Sequence, residues 1–192
     1  GKLSAVHITV GYHEDFLGVV ENLQNWNRWF EDCGDLIARA TTCEEIAAAN
    51  ASGKTAILFG LQNPLAIGAD LGRVEVLAQL GIRFCQMTYN QQTLLGAGCS
   101  EPHDSGLTAF GYEVVDEMNR LGMVIDLSHA GHKTAMDVVT YSNRPVTVTH
   151  ANPDAWHSAP RNLHHDLLQA LSDTGGMVGF SLYPHHLKGG SE

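Results

Sequence analysis

Cationic residues are scarce in this sequence. Lys and Arg number 11 against 21 Asp and Glu, the formal net charge is −10, and no basic cluster forms. Nucleic acid is therefore not an expected partner, because such binding draws its affinity from Lys and Arg that neutralise phosphates. No apolar run approaches the ~20 residues that a helix needs to cross a bilayer, so no membrane segment is expected. The opening Gly-Lys-Leu-Ser-Ala-Val has neither the basic start nor the apolar stretch of a secretory signal. A cytoplasmic location is the expectation that follows. Cysteine is sparse as well: Cys33, Cys43, Cys85 and Cys99 form no C-x-x-C pair, so reduced structural thiols are expected rather than a zinc knuckle. Neither G-x-G-x-x-G nor G-x-x-x-x-G-K-[ST] opens a helical stretch, and no dinucleotide or nucleoside-triphosphate site is expected.

What is present suits a single globular domain over residues 1–192, with 44% hydrophobic residues and a chain long enough to bury roughly 70% of its unfolded surface. Six apolar, β-branched runs read as strands: 3–9, 54–60, 82–88, 123–129, 145–150 and 177–182. Between them lie helical patterns. Phe16, Leu17, Val19, Val20, Leu23, Trp26 and Phe30 mark a helix from His13 to about Asp32. Thr42-Cys-Glu-Glu45 is a capping box before an alanine-rich helix, and Thr108 caps another. Gly53, Gly81, Gly122 and Gly175 each stand between a helix and a strand, as C′ glycines do. Strand and helix in alternation mean a parallel sheet covered by helices. The expected class is α/β, a (β/α) barrel of TIM type or part of one, working at the C-terminal ends of its strands. The irregular segment 91–107 is long enough to be a functional lid or disordered.

Eleven histidines are many for this length. His164-His165 and His185-His186 are adjacent pairs whose side chains point apart, which suits the surface. His129 and His150 differ: each ends a strand-like run, Met123-Val-Ile-Asp-Leu-Ser-His129 and Pro145-Val-Thr-Val-Thr-His150, and they lie 21 residues apart. Neighbouring parallel strands would bring both imidazoles to one end of the sheet. Two convergent imidazoles make a metal site or an acid/base pair, or each hydrogen-bonds within its own loop. Gln62, Tyr89, Asn90 and Tyr183 share the strand-end level, and Asp126 could orient a ligand from behind. Arg161 follows His150 closely and could clamp a carboxylate or make a surface ion pair. Asp104 and His103, in the long segment, could approach the same site.

Three stretches carry a resemblance: Gly122-Met-Val-Ile-Asp-Leu-Ser-His129, the preceding Gly106 to Leu121, and Pro145-Val-Thr-Val-Thr-His150 through Pro160-Arg161-Asn162. They resemble the renal (membrane) dipeptidases, peptidase family M19, over about residues 54–187. The resemblance implies a (β/α)₈ barrel holding two zinc ions, with His129 and His150 as metal ligands and Arg161 on the substrate carboxylate. It implies a dipeptide or other small amide as substrate, hydrolysis by metal-activated water, and a homodimer. The chain departs from the family where G-x-E-G becomes Gly60-Leu-Gln62-Asn63, so the bridging carboxylate is a neutral amide. Gln62 then implies a weaker ligand and at most one tightly held Zn²⁺ where the family has two. Tyr89 stands where the family has a substrate-contacting histidine. The family's first-strand H-x-D and eighth-strand Asp have no counterpart, which makes the chain a fragment carrying about six of eight βα units. The alternative is a non-catalytic barrel that binds a small carboxylate after losing its metal carboxylates. A third is other metal-dependent chemistry on the same scaffold.

Overall fold

β-branched and aromatic residues in Ala5–Gly11 (β1) and Thr55–Leu61 (β3) pair in parallel, with Ala5 opposite Ala56 and Ile8 opposite Phe59. In this computed structural model, which describes residues 3–187, the chain divides into two compact units, one through Cys85 and one from Gln86 onward. Among the described residues no helix is long and apolar enough to cross a membrane.

In the first unit β3 is the centre. It pairs with β1 along one edge, while Ile37–Arg39 (β2) and Ile82–Gln86 (β4) pair with its beginning and its end, all in parallel. The helices are Phe16–Asp32 (α1), Cys43–Ala51 (α2) and Gly72–Gln79 (α3). Val19 of α1, Val74 and Leu77 of α3, and Ile57, Phe59 and Leu61 of β3 are buried. The alanines of α2 have a packing reason: Ala49 meets Ala40 and Ala56 in one cluster, where small side chains let helix and sheet approach closely.

The second unit contains Ala109–Leu121 (α4), Val124–Asp126 (β5), His132–Tyr141 (α5), Thr147–Ala151 (β6), His165–Asp173 (α6) and Met177–Phe180 (β7). β5, β6 and β7 are parallel, with Asp126 opposite Thr147 and Thr147 opposite Met177. Val114, Val115 and Met118 of α4, Val138 of α5, Val148 of β6 and Leu171 of α6 fill its core.

The βα alternation and the four glycines are as expected, with φ of 76°, 88°, 68° and 72° at Gly53, Gly81, Gly122 and Gly175. Three details differ. The first unit has a strand beyond those expected, β2, because Leu36 O accepts from Thr55 N and Ala40 N donates to Ile57 O; three residues held by a neighbouring edge leave no periodicity to read. Helix α1 starts at Phe16 rather than His13. The Glu14 carboxylate accepts from the Tyr12 and His13 amides and Asp15 caps Gly18 N, so the chain turns before it coils. Strand β5 stops at Asp126, because the next residues form a turn in which Ala130 N donates to Leu127 O.

The 91–107 segment is bound down rather than disordered. The Asp104 carboxylate accepts from Lys133 N (2.6 Å), Thr134 N (3.3 Å), Thr134 Oγ1 (2.9 Å) and Gly106 N (2.9 Å). It thereby supplies the cap that Gly131, at the start of α5, cannot make. Asp104 is thus a helix cap rather than a site residue, and His103 beside it is exposed. Asp104→Ala should cost about 1–2 kcal/mol, read as a lower urea midpoint; an unchanged midpoint would show that the cap does not hold the segment.

Candidate metal centre

The register of β5 and β6 sets the level of the two histidines. Asp126 pairs with Thr147, so His129 and His150 each stand three residues beyond the same rung. Their Nε2 atoms face each other at 3.0 Å, with the rings at 64°. The other nitrogen of each ring has an oxygen partner. His129 Nδ1 meets Asn90 Oδ1 at 2.7 Å, and His150 Nδ1 meets Thr149 Oγ1 at 2.8 Å.

Those partners determine the protons. Thr149 Oγ1 lies 2.5 Å from Asp126 Oδ2 and must donate its only hydrogen to that carboxylate. It is then an acceptor for His150, whose proton sits on Nδ1. Asn90 Oδ1 can only accept, so the His129 proton also sits on Nδ1. Both Nε2 lone pairs therefore point at one place. Two neutral donors at this separation suit a cation between them, as zinc takes imidazole nitrogen at about 2.0–2.1 Å.

Asp126 stands behind both strand ends, fully buried. Its carboxylate also accepts from Ser128 N (2.9 Å), Ser128 Oγ (2.7 Å), Thr149 N (3.0 Å) and Gln86 Nε2 (3.1 Å). The expected orienting role is thus exerted through a hydroxyl rather than on the imidazole itself. The sequence carries a signal for this, a Ser-His and a Thr-His dipeptide at the two strand ends.

Burial, then the nearby Arg161 cation, His150 and His186, hold the His129 imidazole down to about 2, so it stays neutral. Arg161 Nη2 donates to the His150 carbonyl at 3.0 Å, while its Nε is buried with no hydrogen-bond partner among the described residues. Burial also pulls the Arg161 guanidinium below its usual range. The Tyr89 ring stacks on His129, 4.0 Å between centroids. His186 is a correction to the surface assignment of its pair: it is 7% exposed, with Nδ1 2.8 Å from Ser181 Oγ and its carbonyl held by the Asn152 and Asn162 amides. Burial lowers its pKa first, with Arg161 and His150 adding to the effect.

The structure thus brings His129, His150, Tyr89 and Arg161 together in the second unit. Gln62 belongs to the first unit, just past β3, with its amide donating to Gly11 O at 2.9 Å. Among the described residues no group of three or more His, Cys, Asp or Glu gathers as a metal cage. The residues present fit two coordination positions of a metal and leave the remainder to other groups.

Parallel βα units with imidazoles at the C-terminal strand ends define the chain as α/β, part of a (β/α) barrel. It belongs to the membrane dipeptidase family, peptidase family M19, which matches residues 7–192. It is 32% identical to an uncharacterized dipeptidase of Schizosaccharomyces pombe over 163 residues, 83% of this chain and 37% of that protein. Among solved structures, an amidohydrolase from Pseudomonas aeruginosa superposes with a TM-score of 0.92 at 41% identity, over 95% of this chain and 56% of its own. A metallo peptidase from Rhodobacter sphaeroides, liganded with a phosphinate mimic of the dipeptide L-Ala-D-Ala, gives 0.82 at 27% identity, over 94% and 54%. The chain spans about half the length of these solved relatives and less of the curated one.

Asp126→Asn turns one acceptor oxygen into a donor facing other donors. It should cost about 3 kcal/mol or more in urea unfolding, whereas Thr149→Ser, which keeps the hydroxyl, should cost about 1 kcal/mol. An Asn variant as stable as the parent would remove Asp126 from its place as the hub.

Proposed function

We propose that the chain carries the histidine and arginine side of a metal-dependent dipeptidase site. The observation behind this is the pair of Nε2 lone pairs of His129 and His150, converging at 3.0 Å with both Nδ1 protons already engaged. Imidazole donors favour zinc among the abundant divalent ions. A metal held there supplies Lewis-acid polarisation of an amide carbonyl and a lowered pKa for water. The protein's own groups do the rest. Arg161 offers a half-buried guanidinium whose buried Nε has no partner among the described residues, a match for the free carboxylate of a dipeptide. Tyr89, stacked on His129, walls the site and presents a phenol where the family has an imidazole. By resemblance to the family, Gln62 of the first unit stands at the position of a carboxylate ligand, and a neutral amide there favours one tightly held ion over two. The phosphinate dipeptide mimic on the Rhodobacter sphaeroides relative supports the substrate class.

A second reading has its own observation. With no third His, Cys, Asp or Glu placed to complete a metal cage with the pair among the described residues, the same site would serve as a non-catalytic receptor for a small carboxylate.

Elemental analysis separates the two. After zinc-supplemented growth the protein should hold about one zinc per chain, lost in both His129→Ala and His150→Ala. Retention in both variants, or no metal in the parent, would overturn the hydrolase assignment in favour of the receptor. Where hydrolysis is detected, Arg161→Met should raise KM for a dipeptide about 100-fold and leave KM for its C-terminal amide nearly unchanged. An equal loss on both substrates would remove Arg161 from the carboxylate.

A further inference from the structure

Asn90 lies one residue beyond Tyr89, and neither the family resemblance nor its exposure gives it a role. Its backbone is left-handed, with φ of 59°, and His129, which it meets, is left-handed too, with φ of 70°. Among non-glycine residues Asn and His are several-fold enriched in this region, yet the conformation still carries a cost that the surroundings must offset. Those surroundings are specific. Ser100 N donates to Asn90 O at 2.8 Å, Cys99 N donates to His129 O at 2.9 Å, and Thr88 Oγ1 donates to the same His129 carbonyl at 3.0 Å. Gly98 packs so close that a Cβ there would come within 2.2 Å of the Asn90 carbonyl carbon. Three segments are thus stitched together around one contact, His129 Nδ1 to Asn90 Oδ1 at 2.7 Å.

We infer that Asn90 is a positioning residue: it holds His129 in the Nδ1–H tautomer and so turns the Nε2 lone pair toward His150. The Cys99 thiol reinforces the assignment of the amide, because Sγ approaches the same Asn90 oxygen at 3.5 Å as a second donor. Burial raises the Cys99 pKa above the usual thiol range, which keeps that proton on sulfur. An amide turned the other way would set an NH₂ against both groups. It would move the His129 proton to Nε2, against the facing His150 nitrogen, and that nitrogen could then take no metal. A carboxylate or carbonyl behind a ligating histidine fixes tautomer and basicity in this way.

The metal side of the inference rests on the proposed function, but the tautomer does not, and the test separates them. Two variants are compared with the parent. Asn90→Gly keeps a residue at home at φ 59° and removes the amide; Asn90→Asp keeps the acceptor oxygen. Two-bond ¹H–¹⁵N correlation spectra of the metal-free proteins read the His129 tautomer directly. The parent and Asn90→Asp should show Nδ1–H, and Asn90→Gly should shift toward Nε2–H. Zinc titration should show affinity lowered about 10–100-fold in Asn90→Gly and retained in Asn90→Asp. An Nε2–H tautomer in the parent, or an unchanged tautomer in Asn90→Gly, would overturn the inference. If the parent binds no zinc, the proposed function fails and the tautomer still decides the role of Asn90.

Discussion

A buried carboxylate that must collect donors shapes the second half of this protein. Asp126 closes β5 without solvent and, among the described residues, without a cation as hydrogen-bond partner, so its charge is balanced by the amides and hydroxyls of Ser128 and Thr149 and by the Gln86 amide. Left unmet, a charge of this kind would cost several kcal/mol. The demand fastens the end of β5 to the end of β6 and fixes both strand ends at one level. The residues that follow Ser128 and Thr149 are His129 and His150. The same interaction that joins the two strand ends therefore sets the level of the imidazole pair and, through Thr149, the proton of His150.

Charge around that pair is arranged in one direction. His129, His150 and His186 stand with the Arg161 guanidinium, and burial keeps the His129 and His186 imidazoles away from their charged forms. Neutral nitrogens thus stand beside a cation that also interacts with the Asp126 carboxylate.

Much of the scaffold was legible in the letters. Apolar strand, polar loop, helix and glycine recur, and the four glycines do occupy left-handed backbone because only they cross that region without strain. His129 and His150 stood out because each ends a β-branched run. Other parts left no mark. β2 is three residues long and exists only because an edge of β3 was available to it. Asp104 caps a helix 28 residues further along, a partnership no local motif encodes. His186, one of two adjacent histidines, is buried by Asn152 and Asn162, which hold its carbonyl from another strand end.

The sequence by itself determined the class, the order of the units and the identity of the groups at the strand ends, because hydrophobic periodicity and turn chemistry act over a few residues. Tertiary structure alone decided which nitrogen of each histidine faces the other. That choice depends on acceptors brought from 39 residues away in Asn90 and from the carboxylate of Asp126 through Thr149. A proton follows the nearest acceptor in space, and nearness in space is what the chain acquires only by folding.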